Sequence, residues 1–329
     1  MSDTYLVTGA AGFIGFHVCQ ALLHNGHTVI GLDNLNDYYD PILKSNRINA
    51  IGDTPHFIFY KRDIANRTDM ETLTKDHPEI THVVNLAAQA SVPYSLKNPY
   101  AYIDANVYGH LNVLEMCRTL PTLKHLVYAS TSSVYGYNTK MPFSVKDRVD
   151  APMAIYAASK RAGELMTHSY SHLYKIPATG LRFFTVYGPW GRPDMAAYLF
   201  ADALTHDRPI KVFNNGDMRR NFTYIDDIVS GVVACLQKPP QCPVNGALHT
   251  IYNIGNDRSE GLMDYIHTLE LAFGKKAKIE FLPLLPGDVK ETVADISESQ
   301  ADFGFSPQTN ITEGIPLFVE WYKSYYGVS

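Results

Sequence analysis

The chain has 329 residues and a formal net charge of −5, from 28 Lys plus Arg against 33 Asp plus Glu. Its 46% hydrophobic and 19% charged residues supply a large buried core and exclude a disordered chain. A mildly acidic balance without basic runs argues against nucleic-acid and anionic-membrane binding, so an anionic ligand needs a local cluster of positive charge.

At roughly 100–200 residues per domain, this length suggests two units or one large α/β unit with an appended lobe. The opening MSDTYLVTGAAGFIG has no basic segment followed by an apolar run and a cleavage site, so no secretory leader is expected. No run reaches the ~20 apolar residues of a membrane span. Cys19, Cys117, Cys235 and Cys242 lie far apart without a C-x-x-C pair, which fits a reduced, cytosolic protein.

Tyr5-Leu6-Val7-Thr8 reads as a strand that breaks into Gly9. An apolar helical pattern runs from Phe13 to Leu23, followed by Gly26 and a second strand, Thr28 to Leu32. Strand, glycine turn, helix and strand within about 30 residues are the size of a βαβ unit. Further strands are expected at Phe57–Tyr60, His82–Leu86, His125–Ala129 and Ala178–Phe184, with helices at Ala105–Arg118 and Tyr156–Tyr174 between them. This alternation predicts an α/β fold: a Rossmann-type doubly wound parallel sheet. After Tyr187 the alternation becomes irregular, Ile251–Ile254 reads as a strand returning to the sheet, and Ile311–Tyr326 as a final helix. The expected division is a cofactor domain over residues 1–186 with a return segment at about 225–257. A smaller mixed α/β substrate lobe takes residues 187–224 and 258–329. No linker separates them, so one continuous core is expected.

The glycines Gly9, Gly12 and Gly15 are spaced G-x-x-G-x-x-G after a strand and at the head of a helix. That context is a dinucleotide pyrophosphate turn, with Phe13 and Ile14 opening the helix whose N-terminus receives the phosphates. Asp33 and Asn34 end the second strand; a carboxylate there accepts from the adenosine ribose and repels a 2′-phosphate, which favours NAD over NADP. Asp63-Ile64 and Leu86-Ala87-Ala88-Gln89 follow later strands, at the carboxyl ends where open α/β sheets bind ligands.

Tyr156 and Lys160 stand at i and i+4 on one helix, so the ammonium is expected to stabilise phenolate and lower the tyrosine pKa toward a usable base. Upstream, Ser130-Thr131-Ser132-Ser133 ends a strand with four hydroxyls, and Thr131 is placed to bond the reacting oxygen. His168 and His172 share a helix face, but lack a third ligand or an H-E-x-x-H pattern; a surface or interface role is expected and no metal.

TGAAGFIG, LAAQA, STSSVYG, YAASK, RFFTVYGP and RRNFTYIDDI occur in one order across essentially the whole chain. The sequence resembles the extended short-chain dehydrogenase/reductases, specifically their NAD-dependent nucleotide-sugar 4-epimerases. The resemblance implies Thr131, Tyr156 and Lys160 as the catalytic triad, with Tyr156 taking the 4-hydroxyl proton and Lys160 holding the nicotinamide ribose. It also implies transient oxidation at C4 and a homodimer built from the helices at 105–118 and 156–174. The stretches Leu32–Pro41 and Arg182–Ala196 resemble UDP-glucuronate 4-epimerases, with Thr185 where galactose-type enzymes carry Asn. The chain departs from the glucuronate enzymes at Pro93, where they often carry Arg, and Val92-Pro93 resembles N-acetylhexosamine epimerases. Decarboxylases and dehydratases of this kind place an acid beside the triad threonine, where this chain has Ser132 and Ser133. These serines, with Thr185 and Arg192, are expected to grip a substrate carboxylate. The resemblance assigns Arg220, or Arg192, to the UDP diphosphate and Asp288 to the uridine ribose. A UDP-glucose or UDP-N-acetylglucosamine 4-epimerase, and a non-catalytic NAD-binding sensor or scaffold, stay open as alternatives.

Overall fold

The computed structural model of the chain describes residues 3–284 and 289–328. The apolar runs become β1 (Thr4–Thr8), β2 (Thr28–Asp33), β3 (Phe57–Lys61), β4 (His82–Asn85), β5 (His125–Thr131) and β6 (Ala178–Phe183). Shorter strands follow: β7 (Thr185–Tyr187), β8 (Ile210–Val212), β9 (Arg219–Arg220) and β10 (Phe222–Tyr224). β11 (His249–Ile254), β12 (Glu260–Gly261) and β13 (Ile279–Phe281) complete the series. One parallel sheet has the order β11-β6-β5-β4-β1-β2-β3. Strands β1, β4 and β6 are buried throughout, as helices cover both faces, so they read as apolar runs rather than alternating ones. The expected returning strand is β11, paired parallel to β6 at the sheet edge.

From β1 the chain winds outward to β2 and β3, and β4 starts on the other side of β1. That reversal opens a crevice at the carboxyl ends of β1 and β4, the usual ligand position in such sheets. α1 (Phe13–His24), α2 (Pro41–Ile51) and α3 (Arg67–Asp76) belong to the first half. The long helix Ile155–Tyr174 has the expected limits to within a residue. The helix expected at 105–118 differs: a helical stretch begins at Tyr100, runs as a π-helix over Ile103–Gly109, and becomes α-helical at His110–Thr119. Within the wide turn, Asn106 reaches the Gln89 backbone from both ends of its amide, accepting from Gln89 N and donating to Gln89 O, each at 2.9 Å. The pairs β7–β10, β9–β12 and β8–β13 were not expected, because strands of two or three residues carry no periodicity.

One apolar cluster runs from Val7 and Val127 of the sheet and Val18 of α1 to Phe222, Tyr265 and Phe318 of the later elements. A second, with Leu6, Ile30, Val113 and Leu126, fills another part of the interior. Cys19 and Cys117 are buried among these residues, as small hydrophobes. Between helix Ile155–Tyr174 and the sheet lies a fully buried ion pair. Arg182 donates from Nε and Nη2 to the two Glu164 oxygens at 2.9 and 3.0 Å, and Ser130 Oγ adds a bond at 2.6 Å. Although burial opposes the charge, Arg182 and Ser130 hold the Glu164 carboxyl below its ordinary 4.5. Its contribution is therefore complete above that pH and is lost as pH falls through the lowered value. Glu164→Ala strands the Arg182 charge and is expected to cost about 3–5 kcal/mol in denaturant unfolding; a loss under about 1 kcal/mol would show that the pair does not hold the helix to the sheet.

Candidate active site

The turn after β1 is built by close backbone contact. Gly9 has φ +71, and a Cβ on Gly15 would lie 2.0 Å from Gly9 O, so the turn closes only with glycine there. Gly12 then caps α1 with no side-chain bond to the helix N-terminus, and the first-turn residues Phe13 and Ile14 line the cavity. Asp33, at the end of β2, ties the neighbouring strand to the turn. Its oxygens accept from Ala11 N at 3.1 Å and Leu35 N at 2.8 Å. Burial raises its pKa above 3.8, while those backbone donors and Lys44 work the other way. Asn34 Nδ2 donates to Asp63 Oδ2 at 2.9 Å, joining two of the expected cofactor residues. Leu86 and Ala87 donate their N–H groups to Thr8 O and Oγ1, which sets the Leu86-Ala87-Ala88-Gln89 segment beside the turn.

At the other end of the crevice stand Tyr156, half-buried, and Lys160, buried. Here the structure corrects the expectation that the ammonium lowers the phenol's pKa. Lys160 Nζ donates to Ala129 O at 2.9 Å, and burial brings its pKa down to about 8. Burial raises the Tyr156 pKa above 10; a Thr131 hydrogen bond and the positive charge of Arg192 oppose that rise. Among the protein's own groups, those that favour phenolate are Thr131 and Arg192 rather than Lys160. Thr131 Oγ1 also accepts from Ser133 N at 3.2 Å, which turns Ser132 and Ser133 across the strand end.

Arg192 is paired rather than solvated. Its Nε and Nη2 donate to Asp194 at 3.0 and 2.6 Å, and Tyr38 Oη donates to the same carboxylate at 2.9 Å. Against burial, Arg192 and Tyr38 hold Asp194 below its ordinary 3.8. Arg220 lies on β9 and donates to Arg219 O and Lys290 O, both at 3.1 Å.

A single cavity of about 860 Å³ brings these positions together. Gly9, Gly12, Phe13, Ile14, Gly15, Asp33, Asn34, Asp63, Ile64, Leu86, Ala87, Ala88 and Gln89 line it, with Thr131, Ser132, Ser133, Tyr156, Lys160, Thr185, Arg192 and Arg220. Asp288 lies outside the described residues. His168 and His172 are elsewhere: His168 packs edge-on to His249, and His172 Nδ1 bonds Gly246 O. Sequence reasoning missed Tyr38, Asp194 and Asn106. The R-x-D spacing of Arg192 and Asp194 was a readable signal for one; Asn106, which also bonds Ser159 Oγ at 2.9 Å beside Lys160, had none.

Residues 5–255 match the model of the NAD dependent epimerase/dehydratase family. The chain belongs to that family. It is 46% identical to Protein CapI of Staphylococcus aureus over 98% of each chain. It is 44% identical to a probable UDP-glucuronate 4-epimerase of Rhizobium meliloti, covering 98% of this chain and 97% of that one. Among solved structures it is similar to UDP-glucuronic acid 4-epimerase from Bacillus cereus in complex with UDP-glucuronic acid and NAD. That match has a TM-score of 0.88 and 36% identity, and covers 98% of this chain and all of the other.

NAD is the family's cofactor, and the cradle fits it: a glycine turn a Cβ would fill, an uncapped helix N-terminus and a carboxylate at the end of β2. Asp33→Ala is expected to weaken NAD binding at least tenfold, about 1.4 kcal/mol, and to narrow discrimination against NADP. Equilibrium dialysis with both nucleotides measures this, and equal affinities in mutant and wild type would remove Asp33 from ribose recognition.

Proposed function

We propose that this chain is a UDP-glucuronate 4-epimerase, interconverting UDP-glucuronate and UDP-galacturonate. One observation carries the reading: a guanidinium, Arg192, lines the same cavity as the half-buried Tyr156, its hydrogen-bond partner Thr131 and three further hydroxyls, Ser132, Ser133 and Thr185. The similarity to the Bacillus cereus and Rhizobium meliloti enzymes supports it.

Bound NAD supplies the acceptor and donor of hydride at C4. Tyr156 Oη removes the C4 hydroxyl proton and returns it, with Thr131 bonded to the same oxygen and Arg192 favouring its anionic form. Lys160, fixed on Ala129 O, holds the nicotinamide ribose and keeps that end of the cavity positive up to about pH 8. Oxidation at C4 turns the sugar acid into a β-keto acid, which readily loses CO₂. Ser132, Ser133, Thr185 and Arg192 hold the carboxylate away from the alignment that this loss needs. The carboxylates lining the cavity among the described residues are Asp33, Asp63 and Asp194. The first two sit at the adenosine end, and Asp194 is engaged by Arg192 and Tyr38. No acid then stands ready to drive elimination, and the substrate keeps all its atoms. Arg220 is placed for the UDP diphosphate, where bidentate guanidinium bonds suit phosphate oxygens, and Asp288 for the uridine ribose.

We further propose a cytosolic homodimer. Leu165 and Leu173 are more than half exposed on helix Ile155–Tyr174, and Ile103 and Tyr108 are nearly so on the neighbouring helical stretch. Among the described residues no helix is long and apolar enough to cross a membrane.

Tyr156→Phe is expected to lower kcat by about 10²–10⁴-fold with folding intact, because only the ionisable oxygen is lost. Near-normal turnover would revive a non-catalytic role. Across a UDP-sugar panel, UDP-glucuronate should give UDP-galacturonate without added reductant. UDP-glucose should be at least ~100-fold less efficient, about 2.7 kcal/mol, since charge-assisted bonds contribute roughly 1.5–3 kcal/mol each. Preference for UDP-glucose or UDP-N-acetylglucosamine would sink the glucuronate assignment, and UDP-pentose as main product would overturn epimerisation.

A further inference from the structure

Arg47, on α2, has no solvent exposure, and none of its hydrogen bonds goes to a carboxylate. Nη1 donates to Ala11 O at 2.9 Å and to Tyr39 Oη at 2.7 Å. Nε and Nη2 both donate to Trp190 O, at 3.1 and 2.6 Å, and Nη2 also reaches Gly191 O at 3.1 Å. A buried cation is tolerated only when its donors are satisfied and a counter-charge comes within reach. Here the donors are spent on Tyr39, just ahead of α2, and on two distant segments. Ala11 belongs to the phosphate-binding turn, and Trp190-Gly191 immediately precede Arg192.

The second segment needs holding. Trp190 has φ +62, in the left-handed region that costs a bulky residue free energy. A further bond grips it from α1: His17 Nε2 lies 3.0 Å from Pro189 O. A carbonyl only accepts, so Nε2 carries the hydrogen, and burial lowers His17 to about 4, which keeps the ring neutral. The Trp190 ring sits against Phe16 of α1 and Trp321.

We propose that Arg47 is a positioning residue that locks the backbone ahead of Arg192 to the phosphate-binding turn, so that the pyrophosphate cradle and the carboxylate receptor form one unit. The inference rests on reading Arg192 as that receptor. A guanidinium is required because its planar fork donates in several directions at once, whereas an ammonium on a flexible stem is a point donor. The two contributions of Arg47 are therefore separable. Its charge, behind the turn, favours the anionic pyrophosphate; its fork sets the Arg192 loop.

The test compares Arg47→Lys, Arg47→Gln, His17→Phe and Arg192→Met as NAD-loaded enzymes, with NAD retention after gel filtration read separately. In Arg47→Lys, KM for UDP-glucuronate should rise at least tenfold, with kcat within threefold of wild type. Inhibition by UDP, which has no sugar carboxylate, and NAD retention should be unchanged. Arg47→Gln should lose NAD as well. An unchanged KM in Arg47→Lys, beside a raised KM in Arg192→Met, overturns the inference. So does a parallel fall in kcat, UDP affinity and melting temperature, which would make Arg47 an ordinary core residue. If Arg47→Lys does not fold, His17→Phe decides with Arg47 in place: a KM rise of about threefold at constant kcat supports the lock, and an unchanged KM rejects it. If Arg192→Met itself leaves KM unchanged, the carboxylate reading fails first, and the role of Arg47 falls with it.

Discussion

The pairing of Arg192 with Asp194 is the interaction on which the proposed chemistry depends. It places a guanidinium in the cavity that Tyr156 lines while occupying Asp194, the carboxylate that, among the described residues, lines that end of the cavity. Each consequence follows from electrostatics in a partly buried cavity. The positive charge of Arg192 favours the Tyr156 anion, partly offset by the negative charge of Asp194; a fixed guanidinium orients a carboxylate, and an acid bonded by Arg192 and Tyr38 is a poor proton donor for elimination. Moving either partner would disturb base strength, specificity and product outcome together.

The pair is useful only if the fold holds it at a set distance from the cofactor. The sheet order supplies the coarse placement, because strand ends on both sides of the β1–β4 reversal face the same crevice. Finer placement comes from buried polar groups, which are expensive unless they are hydrogen-bonded. Asp33 joins β2 to the glycine turn, Asn106 clasps the Gln89 backbone, and Glu164 with Arg182 and Ser130 fixes helix Ile155–Tyr174 against β5 and β6. Each links segments distant in sequence, so the cavity wall is cross-braced rather than hung on loops.

Sequence alone made the first level legible, since it rests on local rules. Gly9, Gly12 and Gly15 between an apolar strand and an apolar helix imply a tight turn at the head of α1, and Tyr156 with Lys160 one helical turn apart implies a shared helix face, which lines the cavity. The edge strand β11 was readable for the same reason, as an apolar run with turn residues about it. What stayed hidden depends on tertiary contact. The π-helix over Ile103–Gly109 has no compositional mark, and the two-residue strands β9 and β12 exist only by pairing. The balance of the Tyr156 pKa could not be read from i, i+4 spacing either, because Lys160 turns to Ala129 O and burial dominates the phenol.

The central claim is that the C4 hydrogen leaves and returns inside one closed site, with no atom of the sugar lost. The most direct measurement uses UDP-glucuronate deuterated at C4, incubated with the enzyme in ordinary water and followed by mass spectrometry and NMR. The account predicts UDP-galacturonate that keeps the deuterium at C4 through many turnovers, with the carboxyl group intact. Deuterium washing out to solvent, or appearing in a decarboxylated pentose product, would contradict it.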